Sequence, residues 1–160
     1  MKKILFLLFV LIIPASVVFA KGGFNYIIIK GPGITGDITV TDPVLTQDFF
    51  VFADFSKGTV PPPADPGRGY QVLRIYVVDM KDRPFDLLHY YPYSGYVYYD
   101  GVADGSSEYD RKWFIANPSA EKPFRDLLSQ NARMAWIPFI ALVLILAGIY
   151  GVYSMKPKKI

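Results

Sequence analysis

The chain contains no cysteine and only one histidine, His89. The lack of thiols excludes disulfides, thiolate zinc sites and a cysteine nucleophile, so the stability of any domain must come from packing. A single imidazole rules out a histidine-cluster metal site, and any Ser-His-Asp arrangement would have to use His89. No Asn-x-Ser/Thr acceptor occurs, because Pro118 blocks the triplet that starts at Asn117. Internal repeats are missing, and so is an L-P-x-T-G-like segment ahead of the C-terminal apolar run, which leaves covalent attachment to a cell wall unsupported.

Basic charge is scarce where nucleic-acid binding would need it. Of the 17 lysines and arginines, five are Lys2, Lys3, Lys156, Lys158 and Lys159, and the remaining 12 face 14 acidic residues. A middle segment with a slight acidic excess has no footprint for a phosphate backbone, so no nucleic-acid partner is expected.

The ends of the chain carry the strongest pattern. Lys2 and Lys3 precede an apolar run from Ile4 to Phe19, broken by Pro14 and closed by the small residues Ala15, Ser16 and Ala20. This order predicts a secretory signal peptide over residues 1–20, with cleavage after Ala20. An uncleaved anchor is the alternative, but a helix from Ile4 to Ala20 would reach only ~25 Å and Pro14 would interrupt it. The second apolar run, Ala135 to Tyr153, contains no charge and as a helix would span ~28 Å, close to a hydrocarbon core of ~30 Å. Arg133 and Trp136 stand at one edge, with Tyr150, Tyr153 and the tail lysines at the other. That placing predicts one transmembrane helix with flanks over 132–155, a basic cytoplasmic tail over 156–160, and the middle of the chain outside. Ala147, Gly148 and Gly151 form a small-residue patch suited to a helix partner in the bilayer. The missing cysteines and glycosylation sites suit a bacterial or archaeal envelope.

Residues 21–131 remain for an extracytoplasmic domain with a single modest core. Its pattern predicts an α+β fold, mainly antiparallel β, of five or six strands with a short juxtamembrane helix. Phe24 to Lys30 and Asp37 to Thr41 read as a hairpin, Tyr70 to Met80 as a central strand, and Phe85 to Tyr91 with Tyr96 to Tyr99 as a second hairpin. Lys112 to Ala116 closes the strands, and Asn117-Pro118-Ser119 starts the helix. Val44 to Phe55 fits a short helix after an Asp42 cap about as well as a strand, with helix preferred, and Ser56 to Gly69, with Pro61, Pro62, Pro63 and Pro66, reads as an exposed loop.

Within the domain, Gly31, Gly33 and Gly36 fit G-x-G-x-x-G, but an alternating strand rather than a helix follows, so a hairpin turn is expected in place of a dinucleotide site. Asp100, Asp104, Glu108 and Asp110 are hard oxygen donors that could suit calcium, yet their spacing is not that of an EF-hand and a solvated loop is the expectation. Ser94 and Asp86 are the candidate partners of His89, and neither lies in a nucleophile turn. No catalytic residue is assigned and no cofactor is expected. The least ordinary feature is a run of six tyrosines, Tyr90, Tyr91, Tyr93, Tyr96, Tyr98 and Tyr99. On a two-faced hairpin some of these rings must face outward, where tyrosine gives large, rigid contact area. The reading that follows is a membrane-anchored protein-interaction module or accessory subunit of an envelope complex. Its partners would be the lipid bilayer and another envelope or membrane protein. The alternatives are a domain binding a ligand, glycan or calcium, and a tethered hydrolase.

Overall fold

The computed structural model describes residues 23–154. The expected signal peptide and the basic tail lie outside the described residues. All strands join one antiparallel sheet in the order β2-β1-β4-β5-β6-β7-β3. The strands are β1 (Tyr26–Lys30), β2 (Ile38–Val40), β3 (Thr59–Val60), β4 (Tyr70–Val78), β5 (Lys81–Tyr91), β6 (Tyr96–Val102) and β7 (Lys112–Ile115). The helices are α1 (Pro43–Thr46) and α2 (Pro118–Ser154), with a 3-10 turn at Phe55–Lys57. The fold is α+β, as its alternating and β-branched segments imply.

One face of the sheet makes the core. Ile27, Ile29, Val72, Leu88, Tyr90, Val97, Tyr99 and Phe114 point to it, and it is closed by Leu45 of α1, by Val51, Phe52 and Ala53, and by Ala120 and Phe124 of α2. Asp42 caps α1 through its side chain, which accepts from the Val44 amide at 2.9 Å, and Pro43 takes the first helical position. Helix continues only to Thr46, shorter than the sequence suggests. The chain from Phe50 to Ala53 instead runs beside the end of β7, where Asp54 and Asn117 amides donate to the Ile115 and Phe52 carbonyls at 2.9 Å. The end of the proline-poor start of the long loop is also not loop: Thr59 and Val60 pair with Phe114 and Trp113. Both sheet edges are thus very short strands, which limits edge-to-edge pairing.

A charged pair lies inside this core. Arg74 and Asp86 are fully buried and hydrogen-bonded through both guanidinium arms, Nε donating at 2.7 Å and Nη2 completing the fork. Nη1 donates to the Phe49 carbonyl at 2.6 Å, and the Tyr99 hydroxyl donates to Asp86 at 2.6 Å. The guanidinium carbon lies 4.6 Å from the ring centres of both Phe24 and Phe49. The geometry depends on a register shift between Arg74 and Ile75, which sets Phe85 as an extra residue so that both it and Asp86 face the core.

α2 is a single helix, not a short one followed by a span. Pro118 starts it, and helix runs on through Pro123 and Pro138. Ala120 and Phe124 are buried in the domain, Leu127 and Leu128 pack on its margin, and from Met134 to Tyr150 the large apolar side chains are exposed. The helix is long and apolar enough to cross a membrane.

Removing one partner of the buried ion pair leaves the other uncompensated. Asp86→Ala is expected to destabilise the domain by about 3–5 kcal/mol, while Arg74→Met with Asp86→Leu should cost far less than twice that. Urea unfolding of both variants checks this, and a mild effect of Asp86→Ala would contradict it.

Candidate functional site

The second face of the sheet is built by the residues that alternate with the core positions. Every strand belongs to the one sheet and both helices pack on the core face, so among the described residues no second layer of regular structure lies over it. Its register aligns Gln71, His89, Tyr98, Trp113 and Val60 in one row across β4, β5, β6, β7 and β3. Tyr91, Tyr96 and Ile115 form the next row, and Ile28, Leu73 and Leu87 form a row on the other side. Tyr91 and Tyr98 ring centres lie 5.4 and 5.2 Å from that of Trp113, and His89 lies 5.9 Å from Tyr98. The result is a half-buried aromatic strip continued by aliphatic side chains. Gly69 borders it so closely that a Cβ there would come within 2.5 Å of the Tyr91 ring.

The six tyrosines divide by strand parity. Tyr90 and Tyr99 are fully buried in the core and cannot reach a partner, whereas Tyr91, Tyr96 and Tyr98 are on the outer face. Tyr93 stands apart in the β5–β6 turn, 62% exposed, with its ring 5.1 Å from the Arg125 guanidinium of α2. Trp113, Leu73 and Leu87 belong to the outer face and were not among the sequence candidates. Alternation within Lys112–Ile115 carries a hint of Trp113, but only the register joins it to Tyr91 and Tyr98.

The other candidates are kept apart. Among the described residues no three His, Cys, Asp or Glu side chains converge on a possible metal position. Asp110 accepts from the Ser107 amide and hydroxyl, both at 2.9 Å, and the amide first, then the hydroxyl and nearby Arg111, hold its carboxyl below the usual range. Asp100, Asp104 and Glu108 remain exposed around it. His89 and Asp86 project to opposite faces of β5, and Asp86 is committed to Arg74. The Ser94 hydroxyl donates to the Pro66 carbonyl at 2.7 Å, so these three form no triad. Gly33 and Gly36, both with left-handed φ, serve the β1–β2 turn, and no helix follows them. Ala147, Gly148 and Gly151 are in α2, and open space surrounds Gly148.

The chain matches no family model, no curated protein and no solved structure.

Two tyrosines tie the core to pH. Burial pushes the Tyr90 and Tyr99 hydroxyls well above the ordinary phenol value, and the Asp86 charge adds to this at Tyr99. An unfolded tyrosine titrates near pH ~10, so between there and the raised folded value only the unfolded chain releases the proton. Each tyrosine therefore contributes stability that is complete below pH ~10 and declines by about 1.4 kcal/mol per pH unit above it. The Tyr90 hydroxyl also has no hydrogen-bond partner among the described residues. Tyr90→Phe is expected to stabilise the domain by about 1 kcal/mol at neutral pH and to remove one proton from the alkaline slope. Denaturant unfolding at pH 7 and above 10 measures both; destabilisation at pH 7 would show that the hydroxyl has a partner.

Proposed function

We propose that this protein is a membrane-anchored, extracytoplasmic interaction module, an accessory subunit that docks on another envelope or membrane protein through the outer face of its sheet. One observation carries the reading: Tyr91, Tyr96, Tyr98, Trp113 and Ile115 form a contiguous aromatic face on the side of the sheet that neither helix covers. These side chains are half-buried with no layer of regular structure over them, so part of each ring is left to solvent or to a partner, and tyrosine and tryptophan are the side chains that contribute most at protein interfaces. His89, Gln71 and the phenol hydroxyls add polar groups that fix orientation without placing a buried charge there.

The anchor supports the same reading. α2 joins the domain core at Phe124 to the apolar stretch that begins at Ala135 without leaving helix, so the outer face is held at a fixed orientation to the membrane. The lysines at both ends of the sequence favour a domain outside and a tail in the cytoplasm.

Replacing Tyr96 and Tyr98 by serine and Trp113 by alanine should abolish the contact while leaving the core intact, since none of these side chains belongs to the core cluster. Mild-detergent purification of the full-length protein from its own membranes checks this. A stoichiometric companion should accompany the native chain and be lost from the triple variant, which should still unfold cooperatively although the lost cross-strand ring contacts lower its melting temperature somewhat. Equal recovery from both would contradict the placement, and a native chain that purifies alone would contradict the function.

A further inference from the structure

The far end of the β4–β5 hairpin is not explained by the fold. Val78 pairs with Lys81, so Asp79 and Met80 alone make the turn, and both have left-handed backbone, φ 52° and 58°. Two-residue turns with this backbone favour Asn-Gly or Asp-Gly, because glycine accepts positive φ without a steric cost. Here a long apolar side chain occupies the glycine position, and Met80 is 97% exposed. Val77 and Val78 beside it are 39% and 50% exposed, which extends the apolar tip along the strand. The tip is braced: the Asn25 side chain accepts from the Val77 amide at 2.8 Å, and the Tyr26 hydroxyl bonds to Asp82.

We infer that this hairpin is a second contact point, which inserts Met80 into an apolar pocket of a protein at the end of the domain opposite α2. An unbranched thioether adapts to a pocket better than a branched side chain, and a non-glycine residue held in left-handed backbone is the kind of local cost found at binding sites. Asp79, Lys81, Asp82 and Arg83 surround the tip with both signs of charge in equal number, which suits the polar rim of a protein pocket and offers no attraction to an anionic lipid surface. At the other end of the same two strands, Tyr70 and Tyr90 pack on Phe124 of α2. Nine residues of β4 separate the two ends by ~25–30 Å. On the anchored reading proposed above, the tip therefore faces away from the bilayer that holds α2.

The test places a photoreactive benzophenone amino acid at position 80 of the full-length protein in its native membranes, with position 65 as the control. A discrete protein adduct is expected from position 80 and not from 65. The protein identified in that adduct should bind the purified native chain, and Met80→Gly should weaken this binding about 10- to 100-fold, the loss expected when a methionine side chain is not transferred from water to an apolar site. The glycine variant should melt no lower than the native chain, and Met80→Asn, which also tolerates left-handed backbone, guards against a loosened hairpin. Unchanged binding by both variants, or no adduct at position 80, would overturn the tip contact alone. An adduct with lipid only would overturn the tip contact and the proposed orientation of the anchor together.

Discussion

The buried pair of Arg74 and Asp86 is the constraint on which the rest of the structure depends. Taking a guanidinium and a carboxylate out of water costs several kcal/mol per ion, and that cost is offset only where geometry and additional hydrogen bonds are complete. Here the completion comes from several elements at once: the Phe49 carbonyl, the Tyr99 hydroxyl, and the Phe24 and Phe49 rings on the guanidinium. The register shift in β5, the path of the chain after α1 and the inward rotation of Tyr99 are each required to close this site. Because the pair fixes which side of β4 and β5 faces the core, it also fixes which side is left outside. The aromatic outer face is the complement of that choice.

Much of the strand content was legible, since β-branched runs at Tyr26–Lys30 and Tyr70–Val78 and the cap at Asp42 act locally. What the sequence could not disclose was set by partners distant in the chain. Thr59–Val60 is a strand only because β7 offers an open edge, and two residues between Gly58 and Pro61 are too few to show a periodicity. Asp79-Met80 lacks the glycine that marks a tight turn, so Asp79 to Pro84 reads as one turn although Lys81 to Pro84 belong to β5. A charged arginine within a strand pattern reads as solvent-facing, and only the pairing with Asp86 reverses this. The same holds for the candidate surface: the density of tyrosines points to the hairpin, but parity and two register shifts decide that Tyr90 and Tyr99 go inward while Trp113 joins Tyr91 and Tyr98.

The continuous helix α2 links packing to function. Phe124 sits between Phe52, Tyr70 and Tyr90, so the domain grips the first turns of the helix. Exposed i,i+4 pairs, Glu121 with Arg125 and Lys122 with Asp126, add a few tenths of a kcal/mol each to helix formation where packing is thin. A domain held this way does not swing on a linker. On the proposed anchoring, a partner that meets the outer face and the membrane helix together meets two surfaces already in fixed relation, and the ordering cost of binding is correspondingly lower.

Because the chain has no cysteine, one introduced thiol reports on one position. Gln71 is exposed in the central row of the outer face, and Asp65 is exposed in the proline-rich loop. Labelling of Gln71→Cys and Asp65→Cys with a membrane-impermeant maleimide, in intact cells and after purification in a detergent harsh enough to strip the companion, tests the central claim most directly. The account predicts that Asp65→Cys reacts from outside in both states, while Gln71→Cys is protected in the membrane and becomes reactive once the companion is removed. Equal, rapid labelling of Gln71→Cys in both states would show that nothing covers this face, and failure of Asp65→Cys to react in intact cells would place the domain on the other side of the membrane.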